Sequence, residues 1–195
     1  SLRLLTRALT LAGLMAGLAS CANVPTESAE AALMRVNTAM GGAALRSISF
    51  AGTGTGATFG QAYQPGMAWP KITYSSFSRV ADYSAGAFRE DAARSRAEPN
   101  GGGAVPLMGT CEQRTTGLLK GETAWNLAGT TPAAAPIAVS GRIHDLWTTP
   151  HGVIKAALAG KPRIAMRNEG GRMLTAVSFD VAGRFSATAL INDAG

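Results

Sequence analysis

A chain of 195 residues, 46% hydrophobic and 15% charged, has the composition of one globular domain with a sizeable core, and this excludes an intrinsically disordered polymer. The formal charge is +6, but Arg3 and Arg7 lie in a segment read below as removable; without them 16 basic residues face 12 acidic ones, for +4. The basic residues stand singly, without the runs or aromatic interleaving of a single-strand binding surface, so nucleic acid is not an expected partner.

The chain opens with "SLRLLTRALTLAGLMAGLASCANVPTESAE": basic Arg3 and Arg7, an uncharged apolar run from Ala8 to Ala19, small residues before Cys21, and a polar sequel. That is the pattern of an export signal. The apolar run falls short of the roughly 20 residues that a membrane-spanning helix needs. "LASC", Leu18 to Cys21, resembles the bacterial lipobox, in which the cysteine is acylated and becomes the mature N-terminus. Cys21 is then the lipidation site, and two or more acyl chains, at about 0.8 kcal/mol per buried CH₂, hold the protein on a bilayer. The alternative is ordinary cleavage after Ala22, which removes Cys21 with the signal. The expected layout is a signal peptide over 1–20, a linker over 21–27 and an α+β accessory domain over 28–195. The expected location is the periplasmic face of the cell envelope; Ala22 after the cysteine points, by resemblance to enteric sorting rules, to the outer membrane. With Cys21 lipidated, Cys111 is the remaining thiol and no internal disulfide forms. Cys111 reads as a plain, core-like strand or turn cysteine.

Ser28 is a candidate N-cap for a helix with Ala29, Leu33, Val36 and Met40 on one face, stopped by Gly41 and Gly42. "ISFAGTGTGATFGQ" then raises the question of a nucleotide loop, but the glycines at 52, 54 and 56 miss the G-x-G-x-x-G spacing. Pro65, Gly66 and Pro70 leave no helix to follow, and no acidic residue stands between Gly52 and Asp82. The stretch reads as a glycine-rich strand pair or bulge. "WPKITYSSFSRV" is a strand, and "DYSAGAFREDAARSR" reads as one long half-exposed strand. "EPNGGGAVPLMG" is a loop. "EQRTTGLLKGETAWNL" is a hairpin turning near Lys120 and Gly121, and "TTPAAAPIAV" an irregular crossing. Two short helices fit Ser140 to Gly160, with Thr149 capping the second and Pro150 in its first position. Three strands turning at Gly170/Gly171 and Ala182/Gly183 close the chain. An α+β domain built on a curled antiparallel β-sheet follows, with an N-terminal helix and a helical pair inserted before the last strands.

Only His144 and His151 supply imidazoles, so a zinc site of three histidines is excluded within this chain. In "HDLWTTPH" the spacing is not that of a helical pair and Pro150 intervenes; His144 reads as a surface residue and His151 as bonding locally. Glu90 with Asp91, and Glu112 with Glu122, read as solvated strand faces rather than acid/base pairs. No G-x-S-x-G elbow occurs. No catalytic, cofactor-binding or metal-ligating residue is therefore assigned. Trp69, Trp125, Trp147 and His151 are candidates for an apolar ligand groove, against the plainer use of the tryptophans as core anchors.

"GQAYQPGMAWPKI", the pair Arg79 and Tyr83, "GETAWN", "LWTTPHGVIKAALAG" and "ALIND" follow one another as in the region preceding the catalytic domain of bacterial exported metallo-β-lactamase-fold hydrolases. The resemblance spans about Leu45 to Asp193. It implies a curled sheet similar to lipoprotein-carrier half barrels, with a zinc hydrolase domain downstream. The zinc motif H-x-H-x-D-H of that family is absent from these residues, so no ligand is carried over and zinc is expected only in the downstream domain. The implied function is a non-catalytic domain that presents or shields substrate; the alternative is a stand-alone lipoprotein that binds a lipid or other apolar ligand. Expected partners are the membrane through the lipid anchor, a hydrolase domain and an apolar ligand.

Overall fold

The computed structural model describes residues 25–62, 64–97, 111–181 and 183–192. The signal segment, Cys21, the loop "EPNGGGAVPLMG" and the last three residues lie outside the described residues.

Helix α1 (Ala29–Ala39) begins where Ser28 leaves extended backbone and its hydroxyl accepts the Ala31 N–H at 3.1 Å. The helix buries Ala29, Ala32, Leu33 and Val36. It ends at Gly41, whose φ of +64° suits a residue without Cβ.

Six strands follow in order, β1 (Ser47–Ala57), β2 (Lys71–Asp82), β3 (Ala87–Arg96), β4 (Gln113–Lys120), β5 (Thr123–Ala128) and β6 (Thr131–Ala134). They form one antiparallel meander in chain order. The pairing of β1 with β2 slips between Gly52 and Gly54, and that of β2 with β3 between Tyr74 and Ser76. The glycine stretch is thus strand with a bulge, and β1 leads through a loop into β2 rather than into a helix.

Two expectations are corrected. "DYSAGAFREDAARSR" is not one strand: Asp82 Oδ1 accepts the N–H groups of Ser84 and Ala85, both at 2.9 Å, and Gly86 at φ +57° completes a turn before β3. The crossing "TTPAAAPIAV" contains β6 and a single 3₁₀ turn, Pro136–Ala138. Pro132 is admitted there because β6 is the outer strand.

Helices α2 (Val139–Trp147) and α3 (Pro150–Ala159) lie before β7 (Arg163–Glu169), β8 (Arg172–Val181) and β9 (Phe185–Ile191). These last strands pair only with one another, in a second antiparallel sheet. The fold is α+β with the helical pair where the sequence puts it, but on two sheets rather than one, and neither closes.

Each sheet buries one face. Val177 and Phe179 of β8 pack on Leu33 and Ile154 of α1 and α3. Phe88, Leu119 and Ala124 of the larger sheet pack under Ile143 and Leu146 of α2. Each such aliphatic side chain contributes about 1.5–3 kcal/mol when fully removed from water. Trp147 and Phe185 touch both clusters, so the two sheets meet at the α2–α3 corner.

Candidate functional site

At that corner a cavity of about 340 Å³ opens between α3 and β8. Its walls are Tyr83, Trp147, Lys155, Ala159, Asp180 and Val181, with Ala156 and Gly160 completing the α3 side. The lining is mostly apolar, with one cationic and one acidic side chain, the composition suited to an apolar group carrying a single polar end.

Local chemistry fixes each wall. Tyr83 follows β2 directly, and its N–H donates to the Arg46 carbonyl at 3.0 Å. Thr149 caps α3: its hydroxyl accepts the Gly152 N–H at 3.2 Å and donates to the Leu146 carbonyl at 3.0 Å. A hydroxyl has one proton, so the Tyr83 hydroxyl is the donor in its 2.8 Å bond to Thr149 Oγ1. Tyr83 and Thr149 are 7% and 5% exposed, and that bond is what keeps a buried phenol satisfied. The Tyr83 and Trp147 rings lie 6.1 Å apart at 34°, one tilted aromatic wall. Lys155 Nζ lies 5.8 Å from the centre of the Tyr83 ring. Gly160 lets the end of α3 approach β8, because a Cβ there would strike the Asp180 carbonyl. Asp180 is held by the Ser186 hydroxyl, 2.6 Å from its Oδ1.

Of the groove candidates, only Trp147 stands in this cavity. Trp69 is 43% exposed in the loop after β1, its ring centre 4.2 Å from that of Phe59 at a tilt of 58°, and it lines a separate surface groove with Met67 and Gly56. Trp125 pairs across strands with Leu118, one position out of step with the Leu119 and Ala124 that pack under α2, so it occupies the opposite sheet face. His151 does not bond locally: its Nε2 reaches the Met40 carbonyl at the end of α1, 3.2 Å away. A carbonyl only accepts, so Nε2 carries the proton, and the buried Nδ1 has no partner. His144 is exposed on α2, its ring 4.9 Å from that of Phe185. Tyr83 and Lys155 were not assigned from sequence. Lys155 carried a signal, as the one charged residue of "HGVIKAALAG".

The carboxylates are taken up by arginines. Glu90 accepts from Arg79 Nε at 3.1 Å, Asp145 lies 3.7 Å from the same guanidinium, and Arg79 sits 4.8 Å from the Phe88 ring centre. The hydrogen bond from Arg89 holds the Asp91 carboxyl below its ordinary range against some desolvation, with Thr116 and the Arg89 charge adding to the effect. Glu112 is likewise lowered, first by the Ser75 hydroxyl and then by the Arg114 charge. Neither is raised toward neutrality as a general acid would be. Among the described residues no three His, Cys, Asp or Glu side chains are grouped to hold a metal ion. Cys111 is a free thiol on the surface, not in the core. No described helix is long and apolar enough to cross a membrane.

Compared with protein-family models, curated proteins and solved structures, the chain gives no match in any of the three.

Proposed function

We propose that this chain is the non-catalytic leading domain of an envelope lipoprotein of the metallo-β-lactamase-fold hydrolase type, anchored through Cys21. Its task is to hold the apolar part of a substrate for a zinc hydrolase domain outside these residues. The observation that carries the binding role is the Tyr83–Trp147 cavity, whose apolar walls end at the Lys155 ammonium. An acyl or aromatic group buries itself against the rings and leaves a carboxylate at Lys155. The hydrolase association is supported by the run of short motifs from "GQAYQPGMAWPKI" to "ALIND". In this reading the six-stranded meander acts as the open, curled half barrel, and the two register slips favour it, since bulges increase local twist.

A second reading is a stand-alone carrier that binds a lipid or other apolar ligand in the same cavity. Two measurements decide. Titration of the purified chain with decanoate should change tryptophan fluorescence saturably, more weakly with decanol, and not at all in Trp147→Ala. No saturable change removes the binding role in both readings. An antibody to the chain, applied to envelope fractions, should detect a polypeptide longer than 195 residues that contains zinc. A lipidated species of this chain alone supports the carrier.

A further inference from the structure

On the face of the larger sheet beside α2 lies a second cavity, of about 530 Å³, with polar walls that include Glu90, Arg94, Thr115, Asn126, Arg142 and Asp145. The strand register aligns Glu90 with Gly117 and Gly117 with Asn126, and puts Ala92 opposite Thr115 two positions along. Arg94 stands a further two positions on, opposite Gln113, and therefore on the same face.

The acidic members are already matched. Glu90 and Asp145 both face the Arg79 guanidinium. Arg114, which borders the same cavity, pairs with Glu112 at 2.7 Å and belongs by register to the opposite face. Among the described residues, two guanidiniums of this cavity remain without a carboxylate, those of Arg94 and Arg142. Arg142 Nη1 donates to the carbonyls of Leu118 and Trp125 at 3.0 and 2.8 Å, and Nη2 donates to Asn126 Oδ1. These acceptors are neutral, so they immobilise the cation without cancelling its charge. The guanidinium lies flat over Gly117, where a Cβ would come within 2.7 Å of Nη2. At Arg94 the Nε is buried with no acceptor among the described residues. Leaving such a donor unmade costs about 1–3 kcal/mol, more for a charged group, so the protein tolerates at Arg94 a defect that an acceptor would repair.

We infer that this cavity is an oxyanion site for a phosphate group, with the guanidiniums of Arg94 and Arg142 as cationic donors and the Thr115 hydroxyl as a neutral one. Arginine's planar fork matches phosphate oxygens, and a tetrahedral dianion presents enough acceptors for donors arriving from β3, β4 and α2. The site is distinct from the Tyr83–Trp147 cavity and does not rest on the function proposed above. Its phosphate is either that of a small soluble molecule or that of a lipid headgroup.

The test is calorimetric titration of the purified chain with inorganic phosphate, glycerol 3-phosphate and acetate, together with pelleting on phosphatidic acid vesicles. Phosphate should bind saturably and acetate far more weakly. Arg94→Gln should weaken phosphate at least about tenfold, the loss of one charge-assisted hydrogen bond. Thr115→Val tests the same site should Arg94→Gln fail to fold, and is expected to weaken binding about threefold or more, as loss of a neutral hydrogen bond does. Arg167→Gln, on β7 of the second sheet and outside the cavity, should leave binding unchanged. Binding of the soluble phosphates without pelleting assigns a soluble ligand; pelleting that Arg94→Gln abolishes assigns a headgroup. Absence of saturable phosphate binding, equal binding of acetate, or phosphate affinity unchanged in folded Arg94→Gln and Thr115→Val overturns the proposal.

Discussion

Thr149 Oγ1 serves three partners at once: the α3 N-terminus, the Leu146 carbonyl and the Tyr83 phenol. Replacing it by valine removes the cap and strands a buried hydroxyl, so Thr149→Val should lower stability by about 2 kcal/mol or more. Thr149→Ser should recover most of that loss, and urea denaturation of both variants checks it. The cap itself was legible in "TTPH", since threonine before proline is a helix start. Its Tyr83 partner was not, because 66 residues separate the two and only the folded corner joins them. The glycines divide the same way. Gly60 has φ +74°, while Gly54 lacks a positive φ and has open space where a Cβ would stand. Gly60→Ala should therefore cost about 1 kcal/mol and Gly54→Ala much less, read from the two melting temperatures. The same pair separates backbone geometry from a nucleotide loop at the glycine stretch: any effect of ATP or NAD on the melting temperature should be the same in Gly54→Ala as in the wild type.

Strand β3 shows how an element can be stable without being legible. Its sequence "AFREDAARSR" is rich in alanine and charge, and what holds it in place is a set of pairings on each side. Arg89 donates to Asp91 at 2.6 Å, and the Thr116 hydroxyl on β4 donates to the same carboxylate at 2.7 Å. Those bonds favour the ionised form, so the folded pKa of Asp91 lies below the unfolded value of about 3.9. The resulting stability is present above that value and is lost as pH falls through the folded pKa. Asp91→Asn should destabilise the protein at pH 7 by less than about 1 kcal/mol, because the pair is partly exposed. The difference between wild type and variant should shrink as the medium is acidified below about pH 4. Paired urea titrations across that range read both effects. Hairpins announced by Gly121 and Gly170 were legible from their turn residues. The β2–β3 turn was hidden because its signal is an aspartate side chain bonding forward to Ser84 and Ala85, not a glycine–asparagine pair.

At the scale of the molecule, two sheets with separate buried clusters are joined at one corner. Trp147 and Phe185 belong to both clusters, and Arg184 before β9 pairs with Glu122 in the β4–β5 turn at 2.6 Å. A shared core predicts a single unfolding transition, with near- and far-ultraviolet circular dichroism coinciding. Trp147→Ala should cost about 3 kcal/mol and separate the two signals if the corner is what couples them. Sequence periodicity identified the helices and most strands, but it carries no information on which sheet a strand joins. The final three strands could extend the meander or pair alone, and the choice follows from α1 and α3 covering Val177 and Phe179. For the same reason, grouping tryptophans by sequence could not separate Trp125 and Trp147, which the register and the helical corner assign to different faces.

Amide chemical-shift mapping of the purified chain titrated with decanoate reads directly whether the corner cavity takes an apolar group. Saturable shifts concentrated at Lys155, Ala156, Ala159, Gly160 and Val181, and abolished when Ala159→Phe fills the mouth, are the predicted result. Shifts centred on the Trp69 loop, or unsaturable shifts spread along the six-stranded sheet, would contradict it.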